Sequence, residues 1–322
     1  MLLLLVGCLD PISNRLFFED AEFLDALPSA EDDRVRYEAT SSPDDVDGDT
    51  TTKEPGDVLE APPGAPGLLV ATVDSVNQVN AMVDALLGMV DLVRSQPPSS
   101  RDENSRIWGP FPADDASHFD VQMVSTRQGV GEFAWAFQVA PKGTSAWQDV
   151  FAGEHLAGAT VREGVGNFAF DGLAIDAINA SDETPFYLEV QYDHRDGDSV
   201  WFSAWSEEGV LNAETAFATY QYAIDADGAG TLVFDAPEME IGEKDTKPEH
   251  WRVTSHWVPD LGGRGDAAVS GGDLGGIIVE WTECWLPDGT LVYQADNWGF
   301  VPKPIGTIED CTVARGLPPS PP

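Results

Sequence analysis

The side chains able to do chemistry are plentiful in this chain, but their spacing keeps them apart. Fifty-six acidic residues and five histidines are available. Glu280 and Glu283 are the pair most like a glycosidase's acid and base, which must face one bond across ~5–10 Å. Three positions apart on a strand, they point to opposite faces. The histidines are His118, His155, His194, His250 and His256. His250 and His256 share one face of a strand but stand ~20 Å apart, too far to hold one ion. There is no Gly-x-Ser-x-Gly, no Ser-x-x-Lys and no Cys–His pairing for a nucleophile, and no glycine-rich loop opening a helix for a phosphate. No catalytic residue and no metal ligand is assigned, and the expectation is a protein that is not an enzyme.

The remaining chemical signals are weaker. Asp45, Asp47 and Asp49, then Asp193, Asp196 and Asp198, then Asp225 and Asp227 cluster at loops or turns. Each group could hold Ca²⁺ loosely, although ordinary turn chemistry accounts for them; no cofactor is expected. Arg264-Gly265-Asp266 spells an adhesion tripeptide, which needs a display loop to act. The three cysteines divide into Cys8, alone near the N-terminus, and Cys284 with Cys311 near the C-terminus. One modified thiol and one disulfide account for that placement, with three buried thiols in a reducing compartment as the alternative.

Leu2–Val6 is an unbroken apolar run too short to cross a bilayer as a helix, which takes ~20 residues. Leu5-Val6-Gly7-Cys8 resembles the lipobox that ends a bacterial lipoprotein signal peptide. The resemblance implies cleavage before Cys8 and acyl chains on it, so that Cys8 is the lipid attachment site and the chain works at the cell envelope. An outer-membrane lipoprotein facing the periplasm or the cell surface is expected. Only seven residues precede Cys8 and none is basic, so the charged start of such a signal is missing. Residues 9–65 read as an acidic tether without apolar periodicity. Within it Phe17, Phe18, Phe23, Leu24 and Leu27 form a short helical stretch near 17–27, able to dock on the body or on a partner.

The formal net charge of −39 repels phosphate backbones and anionic lipid headgroups, which excludes nucleic acid as a partner. Membrane attachment is therefore expected through the lipid on Cys8 alone.

The folded body is expected over 66–317, with a short tail at 318–322. From Pro66 to about Ser95, apolar residues such as Leu69, Val73, Val76, Val83, Leu86, Leu87, Val90 and Val93 recur every three or four positions, the pattern of an amphipathic helix. After Trp108-Gly109-Pro110 the period becomes two, as in Phe133, Trp135, Phe137 and Val139. About a dozen strands follow, from Phe119–Ser125 to Leu291–Ala295, with turn signals between them such as Asp225-Ala226-Asp227-Gly228 and Pro287-Asp288-Gly289. The expected fold is mainly β: an antiparallel meander forming a barrel, half-barrel or sandwich, with one long N-terminal helix packed against it. A membrane barrel is excluded, because Glu132, Gln138, Glu280 and Thr282 occupy the second face. Helix first and meander second is similar in topology to periplasmic lipoprotein carriers with an unclosed barrel.

Ten tryptophans exceed what a packed core ordinarily needs. Trp135, Trp205 and Trp281 are singled out as candidate ligand-binding residues. Three readings follow. The first is a structural or apolar-ligand-binding lipoprotein domain, the second a glycan- or protein-binding module with exposed tryptophans, and the third an envelope hydrolase with paired carboxylates.

Overall fold

The structure, a computed structural model, describes residues 19–30, 34–37, 61–112, 118–158, 160–172, 186–195, 198–206, 216–239 and 247–316. Cys8, the Asp45–Asp49 group, Asp196 and the 318–322 tail lie outside them.

The chain is one antiparallel meander. Fourteen strands pair strictly in sequence order: β1 (Ser100–Arg101), β2 (Ser105–Pro112), β3 (Phe119–Gly129), β4 (Glu132–Pro141), β5 (Gln148–Ala157), β6 (Val165–Asp171), β7 (Phe186–Asp193), β8 (Asp198–Ser206), β9 (Ala216–Ile224), β10 (Gly230–Met239), β11 (Glu249–Val258), β12 (Gly262–Gly271), β13 (Ile278–Trp285) and β14 (Leu291–Asp296). β1 and β14 are its two edges, so the sheet is unclosed, as a half-barrel is. The mainly β meander expected from the period-two pattern is present. β1 and β2 extend it beyond the expected start, and Trp108-Gly109-Pro110 lies inside β2 at a register shift. The proline that reads as a breaker sits at a bulge, where a missing N–H removes no ladder bond.

Two helices accompany the sheet. A short one, α1, covers 19–25. The long one, α2, runs Gly67–Arg94, starts after Pro66 and ends with Arg94 in its last turn, where a cation suits the helix dipole. Val76, Val79, Val83, Leu86, Leu87, Val90 and Val93 of α2 join one core with inner-face residues of β2 through β11, including Trp108, Phe133, Trp135, Phe151, Phe168, Val190, Tyr222 and Trp257. A second, smaller cluster at the start of α2 unites Leu68, Leu69 and Val73 with Trp285. The opposite stripe of α2, with Asp74, Gln78, Ala81 and Ala85, is exposed.

The inner face follows a local rule: bulky rings lie over glycines on the neighbouring strand. Gly153 pairs with Trp135, Gly166 with Tyr192, Gly230 with Trp257 and Gly263 with Trp285. A Cβ at these glycines would stand 2.7, 2.4, 2.2 and 2.6 Å from ring atoms, closer than atoms can approach. The ring takes the space the glycine leaves. β12 carries only small inward residues at Gly263, Gly265 and Ala267, and the first turn of α2 fills that trough: a Cβ on Gly265 would lie 2.7 Å from that of Leu68.

The helical stretch within the expected tether, read as able to dock on the body or on a partner, packs on the body. Phe23 and Leu27 are fully buried. Phe23 packs edge-on to Phe133 beneath the guanidiniums of Arg106 and Arg127. Asp20 binds Arg106 at 2.6 Å and Arg101 at 2.9 Å, and Glu22 binds Arg127 at 2.6 Å. Residues 38–60 therefore lie in sequence between two docked parts of the same body.

Cys284, one residue before the end of β13, is bonded to Cys311 with a Cα separation of 5.5 Å. The bond ties the C-terminal segment to the sheet, worth about 2–4 kcal/mol. That segment crosses β14, where Ile305 and Gln294 exchange backbone hydrogen bonds.

Candidate functional site

The strand connections divide the sheet's two ends. At one end they run to five residues at most, 102–104, 130–131, 194–197, 225–229, 259–261 and 286–290, apart from the seven-residue 158–164. The short strap 34–37 packs on inner-face residues at this tight-turn end. Arg34 pairs with Asp84 of α2. The Asn80 carboxamide accepts from Val35 N–H at 2.8 Å and donates to Val35 C=O at 3.1 Å. Tyr222 Oη accepts from Arg36 N–H and donates to its C=O. Its neighbour Tyr37 is thereby set against Trp257, ring centroids 4.9 Å apart.

Trp257 and Trp285 both stand opposite Gly263, two strand spacings or ~10 Å apart, and both are fully buried. Their indole N–H groups and the Tyr37 hydroxyl are buried without a hydrogen-bond partner among the described residues. Burial pushes the Tyr37 phenol well above its ordinary pKa; the Trp285 indole beside it opposes the rise without reaching hydrogen-bond geometry. Trp251 and Trp281, on the same inner face nearer the other end, have unpartnered indole N–H groups too, and one carboxylate oxygen of buried Glu249 has no partner. Buried polar groups are nearly always paired, by protein or by water. This cluster has no partner among the described residues.

The other inward carboxylate is fully engaged. Glu283 Oε2 accepts from Leu68 N–H at 2.6 Å and Oε1 from the Gln294 amide at 2.7 Å, so it caps α2 in place of a serine or aspartate. Glu280 is exposed on the opposite face, and the two carboxylates form no pair.

The candidate tryptophans do not converge on one site. Trp135 packs in the core against Phe151 and Phe168, its N–H also unpartnered. The Trp205 side chain lies outside the described residues; its backbone pairs with Tyr187 and Phe217. Trp281 is half-buried against Gly67 of α2. Trp257, Trp251, Trp285 and Tyr37 were not singled out by sequence reasoning. A signal that could have found three of them is the recurrence of tryptophan at even spacing, on one face of a strand, at Trp251 and Trp257 of β11 and at Trp281 and Trp285 of β13.

The histidines serve the fold. His155 is buried, with Nε2 near Gly158 C=O at 3.3 Å; burial holds its pKa below the ordinary value, against the lift from that carbonyl. His250 pairs with Asp235 at 2.9 Å, and His256 Nδ1 lies 2.8 Å from Gly230 C=O. Asp225 accepts from Asp227 and Ala229 N–H groups, and Asp193 from Arg195. No group of three potential metal ligands exists among the described residues. Arg264-Gly265-Asp266 lies within β12, with Gly265 facing α2 and Arg264 bonded to Asp266 at 2.9 Å. That is not a display loop.

On the outer face, an open groove of about 570 Å³ has an alanine floor, Ala134, Ala136 and Ala152, and a polar rim. Its Gln138 donates to Asp149 and accepts from Gln122, so that rim is largely self-satisfied. The loop after β14 displays Trp298 and Phe300, 47% and 65% exposed. Its shape comes from Asp296, whose carboxylate accepts from the N–H groups of Trp298, Gly299, Phe300 and Val301. Desolvation raises the Asp296 pKa, but the four donors outweigh it and hold the group below the ordinary ~3.9. With a depressed folded value, the stabilisation is present above ~pH 4 and lost as pH falls through that lower value. Trp298 fluorescence should therefore stay constant from neutral pH to about 4 and change only below it, and Asp296→Asn should show the low-pH signal at pH 7. A Trp298 signal that titrates near pH 6 would contradict this.

No protein-family model, curated protein or solved structure matches this chain. No described helix is long and apolar enough to cross a membrane.

Proposed function

We propose that this is a non-enzymatic lipoprotein of the bacterial envelope, anchored through acylated Cys8, whose half-barrel takes an apolar ligand against its inner face. The observation that carries the reading is the row of buried indole N–H groups on β11 and β13 without a partner among the described residues: Trp251, Trp257, Trp281 and Trp285. A domain serving only as packing has no use for polar atoms buried unpaired, each costing roughly 1–3 kcal/mol. A ligand with an acceptor atom and an apolar body offsets that cost.

The test is to recover the protein from its native membrane, measure its intact mass, and extract it with organic solvent. The expected result is loss of residues 1–7 with added acyl mass, abolished by Cys8→Ser, and an apolar compound extracted in near-stoichiometric amount. An unmodified chain that releases nothing would overturn both halves of the reading. A second reading, contact with a surface partner, has the exposed Trp298 and Phe300 in its favour; it requires that no ligand be extracted and that changes at those two residues abolish the contact.

A further inference from the structure

The outer face of β4–β6 is low where a sheet face is ordinarily covered. Alanine is disfavoured in strands, where β-branched and aromatic side chains cover the pleat better. Yet Ala136, Ala152 and Ala169 stand in register on three neighbouring strands, with Ala134 beside them, and none of the four is buried. The ring packing of the inner face does not demand them, because they point the other way. Ala134, Ala136 and Ala152 floor the open groove of about 570 Å³, and Ala169 carries the strip one strand further. Polar side chains wall it on both sides. On one, Gln122 donates to Gln138 at 2.7 Å and Gln138 to Asp149 at 2.6 Å; that chain orients all three groups and leaves each an N–H or a lone pair to spare. On the other, Glu154 and Asn167 stand opposite each other. Their row continues through Gln191 to half-buried Trp201 on β8, two strand spacings or ~10 Å past Asn167.

We infer that this alanine strip binds an uncharged, extended glycan chain, laid across the strands with sugar rings on the alanines and the chain running on toward Trp201. A pyranose ring has apolar faces and a rim of hydroxyls. The small, flat floor meets the faces, and the amides and carboxylates of the two walls serve the hydroxyls as donors and acceptors. Trp201 offers a second surface on which a ring can stack. Successive strands are ~4.8 Å apart, close to one ring per step for an extended chain. Charge decides against other polymers. No Lys or Arg lines the groove, and a net charge of −39 repels uronates, sulfated glycans and phosphate backbones. A purely apolar chain would strip water from both walls and pair with neither.

The strip lies on the opposite face from the tryptophan row and does not rest on the apolar-ligand reading, so either can fail alone. The probe is cellohexaose, an uncharged β-linked chain that lies extended, with the coiled α-linked maltohexaose for comparison, each titrated calorimetrically into the full chain. Cellohexaose should bind, and more tightly than maltohexaose. Ala152→Phe fills the floor and should weaken cellohexaose roughly ten-fold or more. Asn167→Ala removes one wall's hydrogen bonds and should weaken it roughly five-fold. Both are changes on the solvent side of the sheet, which far-UV circular dichroism should find folded. Should Ala152→Phe not fold, Trp201→Ala takes its place, with a loss of roughly ten-fold expected from the missing stacking surface. Unchanged affinity in the variants would put the sugar elsewhere and overturn the assignment. Absence of binding to the unaltered chain would overturn it too, as would a preference for maltohexaose.

Discussion

Gly230→Val should lower the free energy of unfolding by about 3 kcal/mol or more, a large part of the stability of a domain this size. Atoms of the Trp257 ring lie 2.2 and 2.4 Å from where the new Cβ would stand. Trp257 is fully buried between Tyr222 and Tyr37, so its ring has nowhere to retreat. Urea denaturation followed by far-UV circular dichroism measures the loss as a lower midpoint. Gly88 is the matched control: it is exposed on α2 with no atom within 4 Å of its would-be Cβ. Gly88→Ala should raise stability by about 0.5–1 kcal/mol, because alanine loses less backbone freedom in a helix. If the two substitutions shifted the midpoint alike, the ring-over-glycine packing of the inner face would be wrong.

Asp20→Ala should cost about 3–5 kcal/mol, the range for removing one partner of a buried ion pair. Arg106 is 1% exposed, and its Nε rests on Asp20 at 2.6 Å. The carbonyls of Asp102 and Ser105 both accept from its Nη1, and Glu19 pairs with its Nη2 at the longer distance of 3.7 Å. Asp20 is thus the one carboxylate among the described residues within hydrogen-bond reach of this guanidinium. The same change removes Arg101's carboxylate partner, so α1 should detach before the sheet unfolds. Limited proteolysis reads this directly: cleavage within 19–30 should accelerate many-fold over cleavage within the strands. Unchanged protection of 19–30 would show that Phe23 and Leu27 alone hold the segment.

Much of this architecture is written plainly in the residues. The three- and four-residue recurrence from Leu69 to Val93 gives α2, because a helix that buries one stripe must repeat its apolar residues at that spacing. Alternation at Phe133–Val139 gives β4 in register, and Asp225–Gly228 and Pro287–Gly289 fall at turns between paired strands. β2 was illegible because Gly109-Pro110 carries the local signature of a break, while its neighbours decide that it is a bulge. Docking of α1 was readable from its apolar residues, but its seat was not: Glu19, Asp20 and Glu22 give no hint of their partners until Arg101, Arg106 and Arg127, some 80 to 105 positions away, arrive beside them. The tryptophans pose the same difficulty. Strand periodicity assigns them to the inner face, yet whether an indole N–H finds a partner depends on what the opposite strand and a distant strap bring. Trp108 finds Gln96; Trp257 and Trp285 find none among the described residues.

The packing of residues 19–30 and 34–37 into the core has a consequence for chain integrity. A single cut anywhere in 38–60 would divide the polypeptide without dividing the fold, since Phe23, Leu27 and Val35 on one side are buried against strands and helix on the other. The N-terminal piece would then behave as a tightly held peptide, recoverable with the body under native conditions and separable from it only by denaturant. Supplied in trans as a synthetic peptide, it should restore the body, which would make the two pieces a complementing pair.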